Sequence, residues 1–571
     1  MRRPLTVLAL LAGCLAGGLA GAAPAAAHAV VVATDPADAA RLATAPEQVT
    51  ITFSEQVTFG SGYLRVVDSS GRRVDTGGLR SPGNDSTKIS VGLRPGLPDD
   101  SYIVSYRVVS ADSHPIDGAY SFVVGNGPLV AATGLVLGGT SDPVVGAAFT
   151  VTRWVSFAGL VLLGGLAFLL VCWPAGREVG LARRLVWTGW SMAAAAAVLG
   201  VLLQGPYGAG TGLGQTFSPS LLASTLSTTY GRMLCVRLIL LAVLAVLVSR
   251  LLPGSGRPEQ AQSRDEDLTA IVGLGVLATY GGTGHAAAGS QPTLALLSDS
   301  AHLSAVSVWV GGLVLLTVCL LPSRRTEEMA AALPRFSRIA LGAVSVIVVT
   351  GTYQAWREVR PLQALWTTGY GQLLLAKISC VLLIIAVANL SRLTVRRRYV
   401  LPVAHALSIQ DTVVATVAVE RSEEDRMLRR LRLSVGLELT IAAAVLALAS
   451  VLVSTAPARA SYIHPYSGTL TLAAGGTAKL AVTPARSGAN TVRVSVLDAA
   501  GRPRDVRDVS LTAALPAEQI GPLPLTLTKV GAGQYQSTTV SLPRPGKWQL
   551  VVRVRTSEFD VSVAQADVPV R

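Results

Sequence analysis

The sequence predicts a three-part membrane protein. An N-terminal all-β sandwich precedes an eight-helix transmembrane bundle built as parallel four-helix repeats, and a C-terminal β-sandwich-like domain follows. Three observations predict it. Half of the residues are hydrophobic and only 14% are charged, against roughly a quarter charged in soluble domains. Apolar stretches near the ~20 residues that cross a bilayer recur between residues 148 and 453. On either side of them, apolar and polar residues alternate with the period of two that marks strands.

Residues 1–27 read as a secretory signal peptide. Met1-Arg2-Arg3 supplies a basic start, the run from Leu5 to Ala20 an apolar centre, and Ala25-Ala26-Ala27 an A-x-A cleavage site. Cleavage there makes His28 the first residue of the mature chain. Leu11-Ala12-Gly13-Cys14 offers a competing reading as a lipobox, which would lipidate Cys14 and deprive His28 of a free amine. The apolar run that continues past Cys14, and the cleavage site behind it, favour His28.

Residues 28–126 form the first β domain. Gln48–Phe53, Tyr63–Val67 and Tyr102–Val108 alternate as strands, punctuated by Gly71, Pro82-Gly83 and Pro95-Gly96. Cys14 lies in the signal segment and the other four cysteines lie in apolar spans, so no disulfide is expected to hold the outer parts together.

The transmembrane domain, residues 145–455, contains eight expected spans. They are Ala148–Cys172, Val186–Gly205, Met233–Leu252, Leu268–Ala288, Ala301–Leu321, Ile339–Trp356, Leu373–Leu393 and Leu433–Val453. The formal net charge of +14 is not a nucleic-acid signal, because its arginines sit between spans. Arg177, Arg183 and Arg184, then Arg250, Arg257 and Arg264, then Arg324, Arg325 and Arg335, then Arg392 and Arg396 to Arg398 fall on alternate loops. The positive-inside rule puts those loops in the cytoplasm. Both β domains are therefore expected on the extracytoplasmic side of a bacterial cytoplasmic (inner) membrane. The remaining loops are nearly free of charge apart from Arg357 and Arg360.

Internal duplication is expected from three ordered matches. Tyr230-Gly231 with Arg237 corresponds to Tyr370-Gly371 with Lys377. Gly205-Pro206-Tyr207 corresponds to Gly351-Thr352-Tyr353, and Gly164-Gly165 with Cys172 to Gly311-Gly312 with Cys319. A four-span unit returns to its starting side, which makes the repeats parallel. Small residues and interfacial tyrosines also recur in unrelated membrane proteins, and that is the competing account. Residues 460–571 complete the chain, with alternating strands at Thr469–Leu472, Thr491–Val496 and Trp548–Val554. This last domain holds one histidine, His464, and neither Met nor Cys, a poor set for a metal.

The chemistry concentrates on a few residues. A free N-terminal His28 offers its amine and its ring Nδ1 to one metal ion. Asp112-Ser113-His114 on a strand would point Asp112 and His114 to one face. Nitrogens with a carboxylate in a tetragonal arrangement suit Cu(II). An amine with an ordinary pKa near ~8 must lose its proton to bind, so acid should weaken the site. Glu55 has two readings, an outer supporting group or a solvated residue at a strand end, and the second is favoured.

The stretches His28 to Thr34-Asp35-Pro36, Val49-Thr50-Ile51-Thr52-Phe53-Ser54-Glu55, and Tyr106 to His114-Pro115 with Gly118 and Phe122 resemble the CopC family of periplasmic copper-binding proteins. That resemblance implies a Cu(II) site at His28, Asp112 and His114. Some members carry a methionine-rich Cu(I) site, which this domain, without methionine, does not share. The membrane region resembles the CopD family through Gly284-His285-Ala286, Asp299-x-x-His302, Trp309-x-Gly311-Gly312 and the Tyr-Gly repeats. By the topology above, His285 and His302 both sit near the outer leaflet on consecutive spans. With Asp299 they form a second expected copper site that accepts the ion from the sandwich; alternatively Asp299 orients His302 as its supporting partner. Asp299 and His302, at i and i+3, share a helix face. The competing reading is a pair of interfacial histidines bonded to backbone or water.

The expected function is copper binding and transport across the cytoplasmic membrane, by outer Cu(II) capture and transfer to the spans, with import favoured. Alternatives are copper resistance by sequestration or sensing, and a membrane copper reductase with a haem between His285 and His302. No glycine-rich phosphate loop and no Asp-Lys-Thr-Gly motif is present, so an ATP-driven pump is not expected, nor an enzyme. The expected partners are copper ions, the lipid bilayer, and an extracytoplasmic copper chaperone or further membrane subunit. Arg237 and Lys377 are read as snorkelling to the outer interface and Glu438 as pairing with a neighbour such as Arg432. Cys172 and Cys319 are read as small apolar residues in preference to Cu(I) ligands on an exit path.

Overall fold

The computed structural model describes residues 29–570 except 30, 39, 111–114, 128–129, 131–141, 253–258, 284–290, 360, 400–414, 456, 463–464, 474, 487, 519, 543, 545 and 559. The first β region spans β1 (Val31–Asp35), β2 (Arg41–Leu42), β3 (Gln48–Phe53), β4 (Val57–Asp68), β5 (Lys88–Gly92), β6 (Asp100–Ser110) and β7 (Pro115–Val124). Two sheets form, ordered β1-β3-β5 and β2-β7-β6-β4. In β3 the inward residues Val49, Ile51 and Phe53 are buried between polar neighbours, as period-two alternation requires. Tyr102 and Phe122, cross-strand partners in β6 and β7, stack with ring centroids 5.4 Å apart and help to fill the space between the sheets.

Strand β6 departs from the alternation its sequence predicts, because nearly every residue along it is buried. One face of its sheet packs on the other sheet. The other approaches the end of a membrane helix, where the buried Arg107 donates to the carbonyls of Gly208 (2.7 Å) and Tyr207 (3.2 Å). Asp117 lies 3.7 Å from the same guanidinium. A strand buried on both faces loses its polar stripe.

The helical region comprises α1 (Pro143–Val171), α2 (Gly180–Ala209), α3 (Pro219–Ser227), α4 (Thr229–Leu251), α5 (Glu259–Gly281), α6 (Pro292–Leu315), α7 (Thr326–Glu358), α8 (Ala364–Thr367), α9 (Gly369–Tyr399) and α10 (Ala415–Val453). Helix α1 begins as its sequence directs, with Pro143 in the first turn and Asp142 accepting from the amides of Val144 and Val145. Helix α6 continues through a π turn, Leu316–Leu320.

Seven helices among the described residues are long and apolar enough to cross a membrane, where eight spans were expected. The difference lies in the fourth. Leu268–Ala288 overlaps α5, whose first turns carry Glu259, Arg264, Asp265, Glu266 and Asp267, and part of the remainder lies outside the described residues. Helices α1 and α6 cross closely at paired glycines. A Cβ on Gly311 would overlap the Val161 carbonyl and the Gly165 amide, and one on Gly164 would overlap the Ser307 carbonyl. Small residues permit that approach where water cannot drive packing.

After α10 and a short turn, α11 (Ala458–Ser461), nine strands follow from β8 (Tyr466–Thr471) to β16 (Val561–Val570). Between them, among the described residues, lie β9 (Thr477–Thr483), β10 (Gly488–Leu497), β11 (Asp508–Leu515), β12 (Ile520–Leu525), β13 (Thr528–Gly531), β14 (Gln534–Leu542) and β15 (Gly546–Arg555), and two sheets form, β13-β14-β10-β9-β8 and β12-β11-β15-β16. The fully buried Trp548 anchors their core and donates its indole N–H to the Arg544 carbonyl at 2.9 Å.

Candidate functional site

His28, Asp112, His114 and His285 lie outside the described residues, as does His464. The residues next to the expected outer site are described. The amide of Ala29, which follows His28, donates to Ser110 Oγ at 3.2 Å. Ser110, two residues before Asp112, donates in turn to Glu55. The segments that bear the three expected ligands thus leave one hydrogen-bonded point. Glu55 is buried, which corrects its reading as a solvated residue.

Asp299 and His302 face a cavity of about 250 Å³ inside the helical region. Its walls come from all eight long helices among the described residues. In chain order the lining alternates between first and second halves of successive helices: Arg153 of α1, Gly200 of α2, Arg237 of α4, Tyr280 of α5, His302 of α6, Arg357 of α7, Lys377 of α9 and Leu452 of α10. That alternation belongs to an up-and-down bundle with the cavity toward one end. It is the end that closes α2, whose Tyr207 and Gly208 carbonyls receive Arg107 of the β domain.

His302 is oriented by a defined partner. Its Nδ1 lies 2.8 Å from Thr350 Oγ1, while that hydroxyl donates to the Val346 carbonyl at 2.6 Å. With its one proton spent there, Thr350 accepts from His302, which assigns the proton to Nδ1. The assignment leaves a lone pair on Nε2, the form of imidazole that binds a metal. Gly351 keeps the wall beside the ring thin, since a Cβ there would stand 3.5 Å from His302 Cε1. Asp299, one helical turn earlier, accepts from Gln354 Nε2 at 2.7 Å through Oδ1.

The cations around this pair are held differently. Arg237 is buried and donates to the hydroxyl of Thr279 at 2.9 Å and its carbonyl at 3.0 Å, with Thr283 Oγ1 at 3.5 Å. Its guanidinium carbon stands 3.5 Å above the centre of the Tyr280 ring. Arg153 donates to Ser454. Arg357 lies 4.0 Å from one oxygen of Glu358, and Arg459 3.5 Å from the other. Lys377 lines the cavity with no hydrogen bond or ion pair to any described residue. Arg237 and Lys377 therefore turn inward, in place of the expected snorkelling. Arg357, read as a loop charge, is buried at the end of α7.

Among the described residues no three histidine, cysteine or carboxylate side chains converge as a complete metal cage. The pair Asp299 and His302 is what the structure brings together. Cys172 and Cys319 are buried near the far ends of α1 and α6, away from the cavity. Glu438 lines a second cavity of about 140 Å³ with Trp309 and Asn389, and Arg432 donates to the Leu321 carbonyl.

Sequence reading noted Tyr353 only as part of the repeat match, and did not single out Thr350, Gln354, Arg153 or Glu358. Arg153 had a usable signal, an isolated charge inside an apolar span. The others carry none, since a threonine or glutamine on a membrane helix has no meaning until its neighbour is known.

Comparison with known proteins matches residues 31–125 to the CopC domain, residues 141–296 to the copper resistance protein D-like N-terminal domain, and residues 330–452 to copper resistance protein D. Copper transport protein CutJ of Bacillus subtilis is 28% identical over 547 residues, covering 94% of each chain. Copper resistance protein C of Escherichia coli is 34% identical over 14% of this chain and 68% of its own. Inner membrane protein YebZ of Escherichia coli is 27% identical over 53% of this chain and 97% of its own. With its apolar helices, this is a multi-pass membrane protein, and it belongs to the copper resistance and copper transport family in which a CopC domain and a CopD domain share one chain.

Proposed function

We infer that the protein carries copper across the bacterial cytoplasmic membrane, inward. The outer domain, residues 28–126, would capture Cu(II) at His28, Asp112 and His114. The membrane domain, residues 145–455, would receive the ion at His302 and Asp299, joined by His285. One observation carries this reading: the cavity that contains the Asp299–His302 pair lies at the end of the bundle on which the CopC domain rests. The names of the similar proteins support copper as cargo. The Nδ1–H tautomer of His302 supports a metal at Nε2.

In this reading α5 is the fourth of eight spans, and both β domains, the second at residues 460–571, face outward. The bundle is then two parallel four-helix repeats. Supporting that, Tyr230 and Arg237 line the same cavity as Tyr370 and Lys377, and Gly164 and Gly165 meet Gly311 where α1 crosses α6.

Copper flux into proteoliposomes tests the proposal. His302→Ala should abolish flux while leaving high-affinity Cu(II) binding by the outer domain intact. His28→Ala should do the reverse, losing that binding with residual flux. Flux unchanged in His302→Ala would rule the cavity out as the path. Thr350→Val, which removes only the partner of His302, should weaken copper binding in the membrane domain by about 10–100-fold, as loss of a ligand-orienting group does.

A further inference from the structure

The cavity presents four cationic side chains, Arg153, Arg237, Arg357 and Lys377, against two carboxylates, Asp299 and Glu358. A lining with that formal excess of positive charge is a poor resting place for a bare cation. Three of the cations are engaged by protein groups: Arg237 by Thr279, Arg153 by Ser454, and Arg357 beside Glu358. Lys377 makes no hydrogen bond or close ion pair to a described residue, and the carboxylate whose charge it feels, Asp299, already accepts from Gln354. A second group in the same cavity shares this condition, because the hydroxyl of Tyr353 is buried without a hydrogen bond. An ammonium and a phenol both donate, and a donor kept from water demands an acceptor. A charge held away from water demands a counter-charge as well.

We propose that the cavity binds a small anion, a halide or a carboxylate, through the Lys377 ammonium and the Tyr353 hydroxyl. Lys377 supplies the charge and Tyr353 a directed hydrogen bond. The cavity of about 250 Å³ has room for a small anion beside the protein groups that line it. Carboxylate side chains already stand at Asp299 and Glu358, but Asp299 is turned to Gln354 and Glu358 lies between Arg357 and Arg459. A bound anion would cancel part of the positive excess and make the site at His302 and Asp299 more hospitable to a metal cation. That consequence rests on the copper reading, whereas the anion site does not.

Equilibrium dialysis of the purified full-length protein, metal-free, against radiolabelled chloride or radiolabelled acetate tests the site. Saturable binding of either anion is expected, chloride alone marking a halide site and acetate alone a carboxylate site. Lys377→Met should weaken it at least about tenfold and Lys377→Arg should largely restore it, as loss and return of a charge partner require. Tyr353→Phe, which deletes one oxygen and no volume, should weaken it several-fold and carries the test if Lys377→Met is not monodisperse. Absence of saturable binding of both anions would overturn the proposal. So would binding that neither Lys377→Met nor Tyr353→Phe alters. Because no copper is present, either result leaves the flux experiment on His302 to decide the copper reading separately.

Discussion

The segments that lead into α4 and α9 are built alike and end differently. Each has a short helix, then a threonine whose hydroxyl caps the long helix: Thr228 accepts from Gly231 N and Thr368 from Gly371 N, both at 3.1 Å. Each threonine also donates back to the short helix, to Thr225 and Ala364, at 2.6 Å. In each, the glycine after the tyrosine is pressed onto that short helix. A Cβ on Gly231 would overlap the Thr225 carbonyl, and one on Gly371 the carbonyls of Ala364 and Leu365. Two turns later the likeness stops. Arg237 is locked onto α5, while Lys377 lines the cavity with no hydrogen bond or ion pair to a described residue. One scaffold thus presents a structural cation on one side and a cation available to a ligand on the other.

The largest effect that would test this contrast is the loss of Arg237. Arg237→Met removes two hydrogen bonds to a charged donor and the stacking on Tyr280, a loss of about 3–4 kcal/mol on ordinary magnitudes. Lys377→Met removes no hydrogen bond or ion pair to a described residue, only a charge that faces Asp299 across the cavity, and should cost clearly less stability than Arg237→Met. Thermal unfolding of the two purified variants, in detergent and without added anion, reads both. Equal destabilisation would break the comparison, since it would mean that Lys377 is as structural as Arg237.

Next in size is the glycine contact. Gly231→Val and Gly371→Val both force a side chain against backbone carbonyls, and overpacking of this kind costs about 1–3 kcal/mol. The two variants should lose similar stability, because the short helices they strike are placed alike. A cost confined to one of them would show that the likeness of the two segments is superficial.

Much of the fold was legible, and for identifiable reasons. Strand β3 falls at Gln48–Phe53 as expected because only one face of its sheet is buried, so alternation reports it directly. The long apolar helices were found because hydrocarbon thickness sets their length. Strand β6 was legible as a strand but not as a doubly covered one, since its outer neighbour is a helix end about a hundred residues away. The fourth span resisted for a different reason: the charges at the start of α5 lower its apolarity below that of the others. For the cavity, Asp299 and His302 were legible because histidine and aspartate are rare in such helices. Their supports, Thr350 and Gln354, were not, because a hydrogen bond between helices is a property of packing. The inward turn of Arg237 and Lys377 was missed on similar grounds. Position near a helix end is compatible with snorkelling, and only the neighbouring helices close that route.

The smallest expected effect is also the cleanest separation of scaffold from cavity. Thr228→Ala and Thr368→Ala each remove one capping hydroxyl, worth about 1 kcal/mol for an N-cap threonine. Neither hydroxyl lines the cavity. Each variant should therefore lower unfolding temperature modestly and by similar amounts, while anion binding and copper flux stay at the level of the unaltered protein. Serine at either position should restore the stability, because it keeps the oxygen that accepts from the glycine amide. If Thr368→Ala alone weakened anion binding, the short helix before α9 would be setting the position of Lys377. The second half of the bundle would then differ from the first in its backbone as well as in its cation.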